Sequence, residues 1–180
     1  MERDVASRAG LGWIGKNTCL LNQEVGSFVF ISEILTTLSL EYDRPVADHC
    51  GTCTRCIDAC PTGALIAPRE LDARKCISYW TIEAKTPAPV ALSEKFGAHV
   101  FGCDICQDVC PWNQKSRRLN ALPVPSEFGT IDLEMFLKFS DEDIKMQNKN
   151  KALNRAKPEK LRQNILVAKK NLTMQIKGKS

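Results

Sequence analysis

The sequence has no long apolar run, no apolar stretch at its N-terminus and no internal repeat. A helix that crosses a bilayer needs about 20 consecutive apolar residues, and no segment supplies them. The opening residues, Met-Glu-Arg-Asp-Val-Ala-Ser-Arg, are unlike a signal peptide. The lack of repeats argues against a solenoid. We therefore expect a cytoplasmic protein with no membrane partner.

The bulk composition is that of a folded chain. At 180 residues it is long enough for one domain, or for one domain with a tail, and 43% hydrophobic residues can build a core. The net charge is +4 and the isoelectric point is near 8.6. A charge of this size permits a polyanionic partner without demanding one.

Nine cysteines are the unusual feature of the composition. Thiols in the cytoplasm are kept reduced, so disulfides do not account for them. An odd number also fits poorly with a closed disulfide framework. Metal ligation is the remaining common reason for so many cysteines.

Four of the cysteines form the run C-x2-C-x2-C-x3-C-P, which is Cys50, Cys53, Cys56 and Cys60 followed by Pro61. This spacing is typical of bacterial ferredoxins. Three closely spaced thiolates wrap one face of a cubane, while the fourth leaves in another direction and serves the second cluster.

A second half-motif, C-x2-C-x3-C-P, lacks its leading cysteine, and Cys76 lies upstream to fill that place. Eight thiolates then make two [4Fe–4S] sites. The predicted first set is Cys50, Cys53, Cys56 and Cys110. The predicted second set is Cys60, Cys76, Cys103 and Cys106. Cys19 is left over, and we interpret it as a small buried hydrophobic residue.

Zinc is the competing interpretation, because zinc ribbons also use C-x2-C pairs. Overlapping pairs that end in two separate Cys-Pro steps do not suit one tetrahedral ion, so the spacing favours iron–sulfur. Two close cubanes can pass electrons from one to the other. Either a partner protein or a second cofactor must then accept the electrons.

Outside the cysteines, the pattern predicts a glycine loop over 9–18, one or two buried strands over 28–40, a short helix over 92–101 and a linker over 119–130. Ser140 with Asp143 predicts a helix N-cap, and Pro158 predicts a first helical position. Leu161, Ile165, Ala168 and Leu172 would then share one face of a basic C-terminal helix.

Several segments together resemble the epoxyqueuosine reductase family, which is related to reductive dehalogenases. They are 11–18 (Leu-Gly-Trp-Ile-Gly-Lys-Asn-Thr), 48–56 (Asp-His-Cys-Gly-Thr-Cys-Thr-Arg-Cys), 58–64 (Asp-Ala-Cys-Pro-Thr-Gly-Ala), 71–79 (Leu-Asp-Ala-Arg-Lys-Cys-Ile-Ser-Tyr) and 101–113 (Phe-Gly-Cys-Asp-Ile-Cys-Gln-Asp-Val-Cys-Pro-Trp-Asn). The cluster motifs alone are shared with many ferredoxin-like proteins. The glycine loop and the 71–79 and 101–113 segments make the likeness specific.

The resemblance implies reduction of epoxyqueuosine to queuosine in tRNA. Electrons from an external donor would pass through the two clusters to cobalamin. It implies corrin contacts at Lys16, Leu20, Ile31, Ser78, Cys103 and Asp104. The family's proton-donating aspartate falls before the segment that matches residues 2–4, so the resemblance places it before Met1 and leaves the catalytic residue unknown. It also implies that the N-terminal part of the family is missing here.

The fold class implied is α+β. A ferredoxin-like domain with two [4Fe–4S] clusters would occupy 46–115, after the remainder of a cobalamin-binding α/β domain at 1–45. A linker and basic C-terminal helices would occupy 116–180. We expect a monomer.

Contact with tRNA is predicted at Lys85, Arg162, Lys169 and Lys170. A solvated helix face is the other interpretation of this basic tail. A stand-alone di-cluster ferredoxin that passes electrons to a partner protein is the alternative function. A reductive dehalogenase-like enzyme is a third, less favoured because the glycine loop and basic tail match it less well.

We predict that protein purified and reconstituted without oxygen contains about eight iron atoms and about eight sulfides per chain. Elemental analysis with an acid-labile sulfide assay measures both. Stoichiometric zinc without inorganic sulfide would contradict the iron–sulfur interpretation.

Overall fold

A computed structural model describes residues 1–119 and 132–177 of the chain. These residues form two compact units. Unit 1 contains residues 1–72 and 104–119, and unit 2 contains residues 73–103 and 132–177. The predicted linker over 119–130 lies almost entirely outside the described residues.

Short elements make up most of unit 1, while unit 2 is helical. The strands are β1 (Trp13–Ile14), β2 (Leu20–Leu21), β3 (Leu65–Ala67) and β4 (Glu70–Leu71). The α-helices are α1 (Glu2–Arg8), α2 (Arg55–Asp58), α3 (Val90–Ser93), α4 (Ile105–Asp108), α5 (Pro111–Leu119), α6 (Leu133–Lys138), α7 (Asp141–Gln147) and α8 (Pro158–Lys177). A π-helical turn spans Tyr79–Glu83, and 3-10 turns span Ala73–Lys75, Glu94–Phe96 and Ala152–Arg155.

The glycine loop of unit 1 forms an antiparallel hairpin in which Trp13 of β1 pairs with Leu21 of β2. Backbone approach here is very close, because a Cβ on Gly12 would lie 2.0 Å from the carbonyl oxygen of Leu21. A second two-stranded ladder joins β3 and β4, with Leu65 opposite Leu71. The strands are short because turns and cysteine loops interrupt them.

Asn113 on α5 joins the hairpin region to the cysteine segment within unit 1. Its side chain is fully buried, and its Oδ1 accepts a 2.6 Å hydrogen bond from the Ser27 backbone amide. Its Nδ2 donates to Ser27 Oγ and to the Gln107 carbonyl oxygen, both at 2.8 Å. Gly26 has a φ of +73°, and a Cβ there would lie 2.2 Å from Asn113 Oδ1. Only glycine therefore fits beside this amide.

The prediction of buried strands over 28–40, and of a small βα layer built on them, is wrong. The segment has no regular secondary structure, and its apolar side chains face solvent. Phe30, Ile34 and Leu35 are among the most exposed residues of the chain. The β-branched and aromatic composition of the segment favours a strand. However, the described residues supply no neighbouring strand with which the segment could pair.

Three helices of unit 2 enclose its hydrophobic core. The core side chains are Phe136, Ile144, Ala156, Leu161 and Ile165, with Val100, Phe101, Leu133, Leu137, Phe139 and Leu153 packed against them. Asp132 caps α6 by accepting hydrogen bonds from the amides of Glu134 and Met135. Ser140 and Asp143 form a capping box on α7, and this confirms the predicted N-cap.

The long helix α8 begins at Pro158, as predicted, and buries one stripe of side chains. Leu161, Ile165 and Ala168 lie in that stripe, but the prediction for Leu172 is wrong because its side chain is 40% exposed. Asn171 takes the buried position instead, where its Nδ2 donates to the carbonyl oxygens of Ser93 and Gly97. Asn164 similarly donates to the carbonyl oxygens of Thr81 and Val100.

The predicted helix over 92–101 is shorter and begins earlier. It consists of α3 and the adjoining 3-10 turn Glu94–Phe96, and Gly97 ends it with a φ of +57°. In the part of the chain that the structure describes, no helix is long and apolar enough to cross a membrane.

Replacing Ile165 with alanine should destabilise unit 2 by about 3 kcal/mol, because the side chain is almost fully buried and its loss leaves a cavity. The neighbouring Leu166→Ala removes a similar side chain from a position that is 57% exposed, and should cost about 0.5 kcal/mol or less. Guanidinium unfolding followed by helical circular dichroism compares them. Equal losses would contradict this packing of α8.

Candidate iron–sulfur site

The two cysteine motifs of unit 1 are each built around one short helix. Thr54 precedes α2 and Asp104 precedes α4. One residue separates the end of each helix from the Cys-Pro pair that follows it. The amide of Cys60 donates to Ile57 O at 3.2 Å, and the amide of Cys110 donates to Gln107 O at 3.1 Å. Proline after each cysteine cannot continue these turns, so the chain leaves in a new direction. Helices α2 and α4 pack against each other.

Four thiols line one cavity of about 270 Å³ in unit 1, and they belong to Cys50, Cys53, Cys56 and Cys110. They are the four residues of the predicted first ligand set. Seven other residues complete the wall: Lys16, Asn17, Leu21, His49, Arg55, Pro111 and Trp112. The three closely spaced cysteines come from the loop before α2 and from α2 itself, and the fourth comes from the distant Cys-Pro pair.

The arrangement fits a multi-atom cluster better than a single ion. Around one zinc ion, thiolate sulfurs would lie about 2.3 Å from a common point. Among the described residues, no group of three or more cysteine, histidine or acidic side chains converges closely enough to hold a metal ion. The cavity instead has about nine times the volume that one water molecule occupies in the liquid. The donor chemistry is that of an iron–sulfur cluster.

An aromatic wall stands beside the thiols. Trp13 lies edge-on to His49 and to Trp112, with ring centroids 5.1 Å and 5.2 Å apart. Trp13 also belongs to the buried cluster that contains Cys110, with Cys50 packed against it. The Trp13 indole N–H is buried without a hydrogen-bond partner among the described residues. Such a wall shields the thiols from solvent on one side.

Arg69 ties the cysteine loop to the glycine loop. Its guanidinium forms an ion pair with Asp48 and donates to Ile14 O at 2.9 Å, while its backbone amide donates to Lys16 O at 3.0 Å. Asp48 accepts a 2.8 Å hydrogen bond from the amide of Cys50. That bond, with the charge of Arg69, holds the pKa of Asp48 below its usual range.

Lys16 crosses from the glycine loop to the cysteine loop, where its Nζ donates to Gly51 O at 2.8 Å. It lines the same cavity as the four thiols. Its ammonium therefore adds positive charge beside sulfurs that must ionise to bind iron.

Burial raises the pKa of both Cys56 and Cys110. Burial would also raise the pKa of Cys60, but hydrogen bonds from Thr62 and from the amides of Leu65 and Ala64 outweigh it, and the net shift is downward. The Ala64 amide lies 3.3 Å from Cys60 Sγ. Because the pKa values of Cys56 and Cys110 are raised, these thiols must release protons when they bind a cluster.

The predicted second ligand set is divided between the two units. Cys60 and Cys106 belong to unit 1, where the side chain of Asn17 donates to the Cys106 carbonyl oxygen at 3.4 Å. Cys76 and Cys103 belong to unit 2, where Ser78 Oγ donates to Cys103 O at 3.4 Å. This ligand set stays a prediction.

The predicted corrin contacts are also distributed over both units. Lys16 alone among them lines the thiol cavity. Leu20 is 5% exposed, Ile31 is half-buried, and Asp104 is exposed and accepts a hydrogen bond from Gln107. The cobalamin contacts remain predictions.

Three of the four predicted tRNA contacts are engaged in ion pairs within unit 2. Arg162 pairs with Asp141, Lys169 with Glu134 and Lys170 with Glu94. Surface pairs of this kind are weak and can exchange for other anions. Lys85 makes no such pair with any residue that the structure describes, and it lines a cavity of unit 2.

Sequence reasoning assigned no role to Arg69, Asn113 or the aromatic wall. An aspartate two residues before Cys50 is a recognisable signal, because such side chains often accept the amide two residues on. No comparable local pattern marks Arg69 or Asn113, since their partners lie far along the chain.

Cys19 lies outside both predicted sets and is half-buried, not fully buried as predicted. Its partial burial raises its pKa to about 11. Because the thiolate is the reactive form, alkylation at pH 8 should be about a hundredfold slower than for an unperturbed thiol. Peptide mass mapping after iodoacetamide treatment of the folded protein measures this. The same treatment in denaturant is the control, and rapid labelling of Cys19 in the folded chain would contradict its burial.

The comparisons with known proteins agree with this geometry. The family described as "4Fe-4S double cluster binding domain" matches residues 49–113. An epoxyqueuosine reductase from Cellulophaga algicola is 56% identical over 117 residues, which are 65% of this chain and 38% of the relative. One from Gloeobacter violaceus is 44% identical over 170 residues, covering 91% of this chain and 53% of the relative.

Solved structures give the same result. The epoxyqueuosine reductase from Streptococcus thermophilus is 35% identical and has a TM-score of 0.86, covering 96% of this chain and 46% of its own. A structure of epoxyqueuosine reductase with an epoxyqueuosine-modified tRNA-TYR stem loop is 37% identical, with a TM-score of 0.83, and covers 93% of this chain and 45% of its own. The chain spans about half the length of the relatives that it matches. Over that span, the chain belongs to the epoxyqueuosine reductase family.

Proposed function

We propose that this chain is the electron-transferring part of an epoxyqueuosine reductase, and that it holds two [4Fe–4S] clusters which supply electrons for the reduction of epoxyqueuosine in tRNA. The observation that carries the proposal is the ring of four thiols around one cavity in unit 1. The family relationship supplies the reaction, because the relatives are named for it.

The proposed ligands of the first cluster are Cys50, Cys53, Cys56 and Cys110, and the cavity that they share supports this assignment. The proposed ligands of the second are Cys60, Cys76, Cys103 and Cys106, supported by the spacing of the motif. When bound, the clusters accept and release single electrons, and hydrogen bonds and nearby charge set their potentials.

The chain's own residues prepare the first site. The Lys16 ammonium favours the ionised thiols and any added negative charge in the cavity. Leu21 and Trp112 form apolar wall on either side, which lowers the local dielectric and strengthens that attraction. Asp48 fixes the backbone of Cys50, so the first thiol is held in place before a cluster binds.

The finer parts of the proposal rest on the family resemblance. They are cobalamin as the electron acceptor, with contacts at Lys16, Leu20, Ile31, Ser78, Cys103 and Asp104, and tRNA as the macromolecular substrate. A relative solved with an epoxyqueuosine-modified tRNA stem loop supports the tRNA partner. We expect an external electron donor as the source of electrons.

A stand-alone di-cluster electron carrier is the second candidate. The observation in its favour is that all eight predicted cluster ligands lie within residues 49–113, which match the double-cluster family. The two candidates share the clusters and differ in what receives the electrons.

Cys53→Ala should reduce the iron content from about eight to about four atoms per chain, because it removes one ligand of one cluster. The matched control is Cys19→Ala, which removes a thiol outside both sets and should retain all the iron. Iron analysis and electron paramagnetic resonance of the reduced protein measure the two variants.

The same preparations test the electron acceptor when they are reduced without oxygen and titrated with cobalamin, followed by visible absorption. Reduction of cobalamin by the parent and by Cys19→Ala, with a slower rate in Cys53→Ala, is the expected result. Full iron content without any reduction of cobalamin would favour the electron carrier. Full iron in Cys53→Ala would contradict the ligand assignment itself.

A further inference from the structure

We infer that unit 2 contains a binding site for the phosphate backbone of RNA, in a basic cavity between the segment after the π-helical turn and the start of α8. The inference rests on the proposed tRNA partner and names the surface that would hold it. The residues concerned are Lys85, Arg155, Lys157 and Lys160.

The cavity has a volume of about 470 Å³, within the range of ligand-sized pockets. Lys85 comes from the stretch that follows the turn Tyr79–Glu83, and Arg155 ends a 3-10 turn. Lys157 and Lys160 flank the beginning of α8, a helix of 20 residues. Two stretches of chain that are distant in sequence therefore place cations on one concave surface.

Two of these cations already have partners within unit 2. Arg155 pairs with Glu83 at 2.5 Å, and Lys160 Nζ donates to Thr86 O at 3.0 Å. The side chains of Lys85 and Lys157 differ, because no hydrogen bond or ion pair joins either side chain to another described residue. The cavity thus presents two uncommitted ammonium groups beside two cations that have partners.

The charge balance of the lining favours an anion. Four cationic side chains face two carboxylates, those of Glu83 and Glu159, and Glu83 is neutralised by Arg155. The beginning of α8 adds the positive end of its helix dipole. The cavity is therefore a better anion site than the outer face of α8, where Arg162, Lys169 and Lys170 are engaged with carboxylates.

The surroundings assign the site to phosphates rather than to a base. Trp80 lines a neighbouring cavity that shares Lys160 and Gln163, but its volume is about 40 Å³. This is close to the space of one water molecule in the liquid, and far too small for a stacked nucleobase. Contact at this site would be independent of sequence and dependent on salt.

The test compares the cluster-loaded parent chain with two double variants, and uses a fluorescent tRNA anticodon stem loop as the probe. Lys85→Ala/Lys157→Ala removes the two uncommitted cations. Lys145→Ala/Lys149→Ala removes the same charge from exposed positions of unit 2 away from the cavity. Fluorescence anisotropy is measured over a series of potassium chloride concentrations, and circular dichroism checks that each variant is folded.

The cavity variant should bind less tightly, and the slope of its logarithmic salt dependence should fall by about 1.4 to 1.8, because each of the two lost phosphate contacts contributes about 0.7 to 0.9. The control variant should keep the parent's slope. Single Lys85→Ala and Lys157→Ala variants should each give about half the change.

Equal losses in the two double variants would overturn the inference in favour of unspecific attraction. Inorganic phosphate that binds the parent while the cavity variant keeps the parent's affinity for RNA would overturn it in favour of a free-phosphate site. If the parent chain contains both clusters but binds no stem loop, this inference and the proposal of a tRNA partner are both overturned. The cluster assignment is then still supported by the iron content and the electron paramagnetic resonance signal. Unchanged binding by the cavity variant alone would overturn only the site proposed here.

Discussion

Two of the cysteines that line the thiol cavity are also core residues of unit 1. Cys110 is buried and packs with Trp13 and Leu21, and Cys50 lies against the same cluster. This core is small, so the free energy of cluster binding must supply much of the stability that apolar burial supplies in unit 2. Folding of unit 1 and cluster binding are therefore coupled. The hydrogen bonds and ion pairs of the unit hold its loops in the geometry that the thiols require.

The sequence was most informative where chemistry is local. The cysteine spacing indicated the four thiols that share a cavity, and Ser140 with Asp143 indicated the start of α7. Both depend on residues a few positions apart or on a rigid Cys-Pro turn. Local patterns do not contain the partners of Arg69 or Asn113, which are fixed only when distant loops meet. The same limit explains Asn164 and Asn171, polar residues in an apolar stripe that bond carbonyl oxygens of a separate segment.

The charged residues of α8 show that a count of lysines and arginines does not by itself identify an anion-binding surface. The sequence places many cations near the C-terminus, but neighbouring carboxylates occupy several of them. Among the described residues, the side chains of Lys85 and Lys157 have no carboxylate partner. They line a concave surface that contains only two acidic residues. Partner selection by a basic protein thus depends on which cations its own fold leaves unpaired.

The exposed segment over 28–40 has a consequence for handling the protein. It contains many strand-forming residues and a single charge, at Glu33, and most of its apolar side chains are exposed. Such a stretch can pair with a second chain by β-augmentation. Aggregation of this polypeptide should therefore increase with concentration, and a lysine introduced into the stretch should oppose it.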